Sequence, residues 1–324
     1  MRYAVIGTSW IARAFADGAA LCGDLTPCAV LSRSRERGEA FAAEIGAGAV
    51  VCDVEDLCAV DCDFVYVASP NVCHYPQCKR LLEAGKNVLC EKPVTVTAEE
   101  YRELCDLADE KGRIYTEAIM YWHDPDRAVI RGAVEKLGRV GDAHFDFSQF
   151  SSKYPALMRG ENPNIFNPAM KTGALNDLGI YCVYPALDLF GLPETIIPAQ
   201  RRLFTGADGS GAALFVYPDK VVTITYSKTG QSRLGSEIIG DEGTLTLESI
   251  SKLEHVALTT TDDTKTDLIG EKPKAELMAN EARDMAAYVR GEKRDDYLAL
   301  RRLTEQVLTC MEQMRTADGD LREE

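Results

Sequence analysis

The first third of the chain alternates between short apolar runs and longer amphipathic stretches. Runs that are apolar on successive residues, such as FVYVA at 64–68, are typical of strands covered on both faces. The stretches between them have the period of amphipathic helices. This alternation predicts a parallel sheet joined by crossover helices. The predicted strands are 3–7, 28–31, 64–68, 87–90 and 114–116, and the predicted helices are one ending near Ala20, then 35–45, 75–84 and 98–111.

The pattern changes after residue 120. A predicted helix at 125–137 is followed by runs with strand character, separated by turn signals such as TGADGSG, YPDK and GDEG. Two predicted helices, 275–290 and 297–314, and a polar tail close the chain. This pattern favours a largely antiparallel sheet. The predicted strands of this part are 144–150, 199–204, 212–217, 221–226, 237–239, 244–247 and 256–260.

Two patterns predict two domains, and 324 residues are long for one core but sufficient for two. We expect an α/β Rossmann domain with a doubly wound parallel sheet at residues 1–119. An α+β domain with an open, mostly antiparallel sheet is expected at residues 120–324, its C-terminal helices able to pack on the first domain. Residues 153–172 are predicted to form an irregular loop, and long loops in compact domains are usually functional.

Composition excludes several classes of partner. A net charge of −15 argues against nucleic acid and anionic membrane surfaces. No run approaches the roughly 18–20 apolar residues of a membrane helix. Because the chain opens directly on a predicted strand, we expect no targeting segment and a cytoplasmic protein. Nine of the 11 cysteines precede residue 106 without a C-x-x-C pair, which favours buried free thiols over disulfides or a metal site.

The segment VIGTSWIA, residues 5–12, follows the first predicted strand and opens a helix. It matches the dinucleotide fingerprint with Gly7 at the first glycine position and Ala12 at the third, where alanine is permitted. Ser9 replaces the second glycine. Such a turn aims backbone amides at a pyrophosphate at the helix N-terminus, whereas its alternative is an ordinary strand-to-helix turn. The residues predicted to contact the cofactor here are Gly7, Thr8, Ser9, Trp10 and Ile11.

The second predicted strand ends at LSRSRER, residues 31–37. Enzymes that use NAD usually carry an acidic residue here for the ribose 2′-hydroxyl, but this chain offers Ser32, Arg33 and Arg37. Hydroxyl and guanidinium groups attract a 2′-phosphate. Basic residues at a helix N-terminus also oppose the helix dipole unless an anion binds. The sequence therefore predicts NADP as the cofactor, with NAD as the alternative.

The segment VLCEKPVT, residues 88–95, places Glu91, Lys92 and Pro93 where a core strand ends. Open α/β sheets bind ligands at the carboxyl ends of their strands. Pro93 disfavours an α conformation at Lys92. A partly desolvated lysine beside an oxidised nicotinamide has a lowered pKa, so Lys92 can exchange a proton near neutral pH. The alternative is an exposed Glu–Lys pair in a loop.

Several longer blocks resemble the Gfo/Idh/MocA family of oxidoreductases (glucose–fructose oxidoreductase and inositol dehydrogenase), particularly its dihydrodiol dehydrogenase-like members. The most specific are ASPNVCHYPQCKRLLEAGKNVLCEKPVT at 68–95 and GALNDLGIYCVYPALDLFG at 173–191. Shorter matches are SRSRERGEAFA, TEAIMY and GDEGTLTLE. The resemblance implies a Rossmann domain, a second domain with an open sheet, and a homodimer or homotetramer that associates through that sheet.

The resemblance also implies roles for individual residues. Lys92 matches the lysine that holds the substrate hydroxyl and shares its proton. Asp177 and Tyr181 match the D-x-G-x-[HY] motif, in which the tyrosine is the proposed general acid/base. Their i, i+4 spacing predicts a shared helix face. The cofactor-side residues implied are Ser69, Pro70, Asn71, His74, Glu91 and Lys92, with Ser32, Arg33 and Arg37 at the 2′-phosphate.

The chemistry is consistent with these roles. Oxidation of an alcohol transfers a hydride to the cofactor and a proton to the protein, and a tyrosine beside an ammonium group has a lowered pKa. The segment YWHDP departs from the family pattern, because Trp122 replaces an arginine. Trp122 and His123 are therefore either substrate contacts or packing residues.

We expect an NADP-dependent dehydrogenase or reductase that acts on a sugar, a polyol or another vicinal diol. An NAD-dependent glycosidase of the same family is one alternative, which the basic residues at the second strand and Tyr181 disfavour. A non-catalytic NADP-binding sensor is another, which the presence of Lys92 disfavours.

Overall fold

The computed structural model describes residues 1–315 and 321–322, so most of the predicted polar tail lies outside the described residues. The chain divides into two compact units. One contains Met1–His123 and Pro273–Arg302, and the other contains Asp124–Lys272 and the described residues from Leu303 onward. None of the described helices combines the length and apolar character needed to cross a bilayer.

Strands and helices alternate along the first 123 residues around one parallel sheet. In chain order the elements are β1 (Arg2–Ile6), α1 (Trp10–Cys22), β2 (Thr26–Leu31), α2 (Arg35–Ile45), β3 (Ala49–Val51), α3 (Val54–Cys58), β4 (Phe64–Val67), α4 (Asn71–Glu83), β5 (Asn87–Glu91), α5 (Ala98–Lys111), β6 (Tyr115–Ala118) and α6 (Met120–His123). The strand order is β3-β2-β1-β4-β5-β6. This is the doubly wound order, with its switch point between β1 and β4, and the predicted Rossmann sheet is confirmed.

Two later helices belong to the same unit. Helix α10 (Lys274–Arg290) packs against α1, and helix α11 (Arg294–Arg315) contributes its first turns. The two packed helices approach closely because residue 18 is glycine: a Cβ at Gly18 would lie 2.6 Å from the amide nitrogen of Ala279. Small residues at this crossing let α10 bring its polar side chains toward the sheet.

The second unit contains a nine-stranded, mostly antiparallel sheet. Its elements are α7 (Arg127–Val134), β7 (Val140–Ser148), α8 (Tyr154–Met158), a π-helical turn (Leu175–Gly179), α9 (Ile180–Phe190), β8 (Thr195–Arg202), β9 (Asp208–Val216), β10 (Val221–Ser227), β11 (Ser236–Gly240), β12 (Gly243–Ser249), β13 (Glu254–Thr260), β14 (Lys265–Ile269) and β15 (Leu321–Arg322). The order is β14-β13-β12-β11-β7-β10-β9-β8-β15, parallel at β7–β10 and β8–β15. The predicted mostly antiparallel sheet is confirmed.

Side chains alternate across this sheet. In β10, Val222, Ile224 and Tyr226 are buried, and the π turn and α9 pack against β10 and β7. On the opposite face, Ile197 of β8 lies beside Leu214 of β9 in the strand register, and both side chains are exposed.

The sequence pattern missed several short elements and misplaced one helix start. Among the missed elements, β3, α3, α6 and β14 have three to five residues, too few for a clear period, and β14 is a largely exposed edge strand. Helix α4 begins at Asn71, four residues before the predicted start, and contains Pro76 in its interior. Proline usually stands in the first helical turn, which explains the late predicted start.

The segment 153–172, predicted as an irregular loop, contains helical turns with their own small core. Besides α8, it includes 3-10 turns at Asn164–Phe166 and Pro168–Met170. Leu157, Phe166 and Leu203 form a buried cluster. Proline and asparagine therefore mark short turns here rather than an unstructured loop.

Candidate functional site

Gly7 forms the turn between β1 and α1. Its φ is +105°, and a Cβ there would lie 2.7 Å from the carbonyl oxygen of Ala68. Its N–H donates to the carbonyl of Leu31 at 3.0 Å. Glycine is thus required both by conformation and by the close approach of two strand ends. The glycine predicted from the fingerprint occupies the switch point of the sheet.

The N-terminus of α1 carries no acidic residue in its first turn. Ser9 is the N-cap in extended conformation, and within residues 1–315 and 321–322 its side chain makes no capping hydrogen bond. Such a terminus favours an anion. Trp10 is 71% exposed beside this terminus, and the Lys274 ammonium lies 5.7 Å from its ring centroid. The sequence pattern missed Lys274 because α10 follows the second sheet in the chain.

The end of β2 presents two exposed guanidinium groups. The buried Ser32 hydroxyl donates to the carbonyl of Ser34 at 2.8 Å, and the Ser34 side chain accepts the Arg37 N–H at the start of α2. Among the described residues, the guanidinium groups of Arg33 and Arg37 have no hydrogen bond or ion pair. The serines therefore shape the turn, and the arginines face solvent.

His74 connects the start of α4 with the turn after β5. Its Nδ1 lies 2.9 Å from the carbonyl oxygen of Pro93, and its Nε2 lies 2.8 Å from that of Ser69. Burial lowers the pKa of His74, so the neutral ring donates to one of these carbonyls. Pro70 is the N-cap of α4 and Asn71 its first residue. The structure thus brings the predicted residues at the start of α4, from Ser69 to His74, to the turn that contains Lys92.

Glu91 is the last residue of β5 and is buried. Its carboxylate accepts hydrogen bonds from the Tyr66 hydroxyl and from the backbone N–H of Lys92. Burial raises the pKa of Glu91, while the Tyr66 bond and the Lys92 charge oppose this shift. Lys92 itself is partly buried, and the Lys92–Pro93 peptide is cis. Tyr66 was missed because nothing in an apolar strand marks one tyrosine as a partner.

Trp122 and His123 are buried in the first unit. Trp122 donates its indole N–H to Asp296 at 3.2 Å. His123 Nδ1 lies 2.9 Å from Asp284 Oδ2, and its Nε2 lies 3.2 Å from the carbonyl oxygen of Glu117. Burial opposes protonation of His123, but Asp284, together with the charge of Glu281 and the Glu117 carbonyl, raises its pKa. Both side chains therefore have structural partners in their own unit.

In the second unit, Asp177 and Tyr181 lie on either side of a change in helix type. Asp177 belongs to the π turn, and its carboxylate pairs with the ammonium of the buried Lys228. Tyr181 lies in the first turn of α9, 7% exposed, with its ring edge-on to Phe147 at 5.5 Å. Sequence spacing predicted one regular helix, whereas π turns bond i to i+5 and are frequent at functional sites. Lys228 was missed because no motif surrounds it.

The fold and these residues define a class of protein: a Rossmann dinucleotide-binding unit joined to an α+β unit with an open sheet. Residues 1–119 match the family model described as an oxidoreductase family with NAD-binding Rossmann fold. Residues 130–246 match the GFO/IDH/MocA C-terminal domain.

The chain also resembles named relatives. The scyllo-inositol 2-dehydrogenase (NADP(+)) IolU of Bacillus subtilis (strain 168) is 34% identical over 294 residues, 90% of this chain and 89% of that protein. A trans-1,2-dihydrobenzene-1,2-diol dehydrogenase of Macaca fascicularis is 32% identical over 219 residues, 66% of this chain and 64% of that protein. The chain therefore belongs to the Gfo/Idh/MocA family of oxidoreductases, as the sequence motifs predicted.

A solved structure shows the same fold. It is that of KijD10, a 3-ketoreductase from Actinomadura kijaniata in complex with NADP and TDP-benzene. The TM-score is 0.88 at 22% identity, and the match covers 100% of this chain and 99% of that one.

The histidine environments predict opposite pKa shifts that can be measured together. The chain has four histidines, so their ring signals are separable by NMR. His123 is expected to titrate above 6.5 because Asp284 stabilises its charged form, and His74 below 6.5 because it is buried. In Asp284→Asn the pKa of His123 should fall, whereas that of His74 should stay unchanged. An unchanged His123 pKa in that variant would contradict the assigned cause.

Proposed function

We propose that this protein is an NADP-dependent oxidoreductase that transfers a hydride between the nicotinamide and a CH–OH group of a sugar, polyol or vicinal diol. The observation that carries the cofactor assignment is the pair of exposed guanidinium groups of Arg33 and Arg37 at the end of β2. Unpaired cations at a helix start are unfavourable alone and suit a 2′-phosphate. The acidic residue typical of NAD-selective sites is absent from positions 32–35.

The remaining cofactor contacts follow from the edge of the parallel sheet. We assign the pyrophosphate to the N-terminus of α1, where Gly7 allows the close approach and the helix dipole favours negative charge. The nicotinamide half is assigned to the ends of β4 and β5. The residues included in this proposal are Gly7, Thr8, Ser9, Trp10, Ile11, Ser32, Arg33, Arg37, Ser69, Pro70, Asn71, His74, Glu91 and Lys92.

The names of the relatives support the substrate class. They are an inositol dehydrogenase and a dihydrobenzene-diol dehydrogenase, the first of which is named for NADP(+). A D-xylose 1-dehydrogenase (NADP(+)) of Hypocrea jecorina is 33% identical over 169 residues, 48% of this chain and 43% of that protein. All three names specify carbon atoms that carry hydroxyl groups, which is the common feature proposed for the substrate here.

A bound NADP would supply the hydride chemistry, and side chains of this chain would hold and move the proton. We assign the Tyr181 phenolate as the group that accepts the hydroxyl proton of the substrate and becomes the phenol, assisted by the Lys92 ammonium. Asp177 is paired with Lys228, which fixes the position of its carboxylate. We assign this carboxylate to positioning the substrate or Lys92. For Trp122 and His123, the hydrogen bonds to Asp296 and Asp284 support a packing role within the Rossmann unit rather than a substrate contact.

The outer face of the second sheet supports a homodimer or homotetramer. Four apolar side chains are exposed on this one face, and their register places them in neighbouring rows. Exposed apolar stripes on a sheet usually mark an interaction surface. The side chains are Ile197, Leu214, Val221 and Ile239.

The cofactor assignment predicts a selective loss in Arg33→Ala. Removing one charge-assisted hydrogen bond costs about 1.5–3 kcal/mol, so NADP affinity should fall about 10- to 100-fold while NAD affinity stays unchanged. Isothermal titration calorimetry with both cofactors measures this directly. Arg35→Ala is the control, because Arg35 is exposed nearby but lies 3.8 Å from Glu39. A preference for NAD that survives the substitution would reject the NADP assignment and favour the NAD-dependent glycosidase.

The proton assignment predicts a loss of turnover in Tyr181→Phe. On a panel of sugars and polyols with NADP, kcat should fall about 10²- to 10⁴-fold, with the NADP dissociation constant unchanged. Tyr184→Phe is the control on the same helix, since its hydroxyl bonds Thr304 at 2.8 Å and its loss should lower stability, not kcat. Full activity of Tyr181→Phe would exclude the phenol as the general base. Tight NADP binding without turnover by the unaltered protein would instead support the sensor.

The association surface predicts that Leu214→Asp dissociates the oligomer. A buried charge at an apolar interface is strongly unfavourable. Analytical ultracentrifugation should show a dimer or tetramer for the unaltered protein and a monomer for the variant. Leu234→Asp is the control, because Leu234 is 90% exposed in a loop between β10 and β11. A monomeric unaltered protein would contradict the proposed oligomer.

A further inference from the structure

Helix α10 places a carboxyl group in the interior of the first unit. Glu281 is 1% exposed, and its Oε2 atom has no hydrogen-bond partner among the described residues. A buried carboxyl oxygen without a donor is costly, and such atoms are rare in folded proteins. None of the roles proposed above uses this side chain. Glu281 was also outside the residues that the sequence motifs singled out.

Charged groups act on Glu281 from several elements. The carboxylate of Glu91 in β5 exerts the largest repulsion on Glu281, and the Tyr66 hydroxyl of β4 donates a hydrogen bond to that same carboxylate. His123 of α6 and Lys274 of α10 supply opposing positive charge. Asp284, one turn further along α10, adds negative charge but is itself paired with His123 and Lys293. Glu281 therefore lies in a buried network that extends to the residue before Lys92.

The two buried glutamates are not equivalent. Glu91 accepts from the Tyr66 hydroxyl and from the Lys92 N–H, and it is next to the Lys92 ammonium. These contacts favour its charged form. Glu281 has no donor at Oε2, so the charged form gains nothing there. Because two neighbouring carboxyls in a buried site do not both ionise readily, the proton belongs on Glu281.

Electrostatics agree with this division. Burial, and next the charge of Glu91, raise the pKa of Glu281 to about 8, against the opposing effect of His123 and Lys274. Glu281 is therefore neutral at pH 7 and becomes a further buried carboxylate only in alkaline solution.

We propose that Glu281 is a positioning residue for the Glu91–Lys92 pair, holding a proton so that it adds no further negative charge to the buried carboxylates of Glu91 and Glu117 behind the lysine. This role rests on the proposed function of Lys92. With Glu281 neutral, less of the positive charge of Lys92 is offset from within the first unit, and that charge assists removal of the substrate hydroxyl proton. When Glu281 loses its proton, the added negative charge offsets the ammonium, and the substrate hydroxyl gives up its proton less readily. Glu281 acts through Glu91 and Lys92 and does not itself contact the reacting atoms.

The first test measures stability against pH and needs no turnover. The pKa of Glu281 is raised in the folded state from about 4.5, so its contribution to stability is present at low pH and is lost as pH rises through about 8. In Glu281→Gln and Glu281→Met, which cannot titrate, the decline in the urea midpoint between pH 5 and 8.5 should be smaller than in the unaltered protein. Glu276→Gln, exposed on the same helix, should keep the original decline. Equal declines in all four proteins would contradict the proposal that Glu281 holds a proton in the folded protein.

The second test measures kcat/KM with NADP across the same pH range. In the unaltered protein and in Glu276→Gln, kcat/KM should fall at alkaline pH as a group that titrates near pH 8 loses its proton. In both Glu281 variants, this alkaline limb of the pH profile should move by at least about one pH unit. An unmoved limb, together with the changed stability profile, would overturn the positioning role and leave Glu281 purely structural. Absence of turnover in the unaltered protein would overturn the proposed function and the positioning role with it. The stability profile would still test whether Glu281 holds a proton in the folded protein.

Discussion

The close approach of Gly7 to the carbonyl of Ala68 is the constraint on which the first unit depends. Strands β1 and β4 are paired side by side up to this point, and the positive φ of Gly7 turns the chain directly into α1. No side chain fits between the two strand ends. As a result, the N-terminus of α1, the end of β2 and the end of β5 meet at one edge of the sheet. Every residue proposed to contact the cofactor lies at that edge.

Charge is distributed differently on the solvent side of this edge and in the interior of the first unit. On the solvent side, Arg33 and Arg37 present cations in a protein whose net charge is −15. In the interior, acidic and basic side chains from β5, α6 and α10 lie within one network, so each buried charge has an electrostatic partner or is kept neutral. A local basic surface is thus compatible with an acidic chain, because only the charges at the binding edge act on a phosphate at short range.

The second unit uses its sheet in two ways. One face packs beneath the π turn and α9, which carry the half-buried Asp177 and the buried Tyr181. The other face has an alternating pattern of exposed side chains in which four apolar residues stand out. A single sheet can serve both purposes because successive side chains of a strand point to opposite faces. The helix that carries the proposed general base is therefore supported by the same strands that form the proposed association surface.

The sequence by itself determined the two-part architecture, the glycine turn, the basic end of β2 and the E-K-P and D-x-G-x-[HY] motifs. Each of these features depends on short stretches of consecutive residues, because strand and helix periods, glycine conformation and charge are local properties of the chain. Only the tertiary structure decided the partners of those residues. It paired Asp177 with Lys228, joined Tyr66 to Glu91, set Lys274 beside Trp10 and brought Glu281 into the interior. These contacts join residues far apart in the chain, and a buried charge depends on everything packed around it, which no local pattern records.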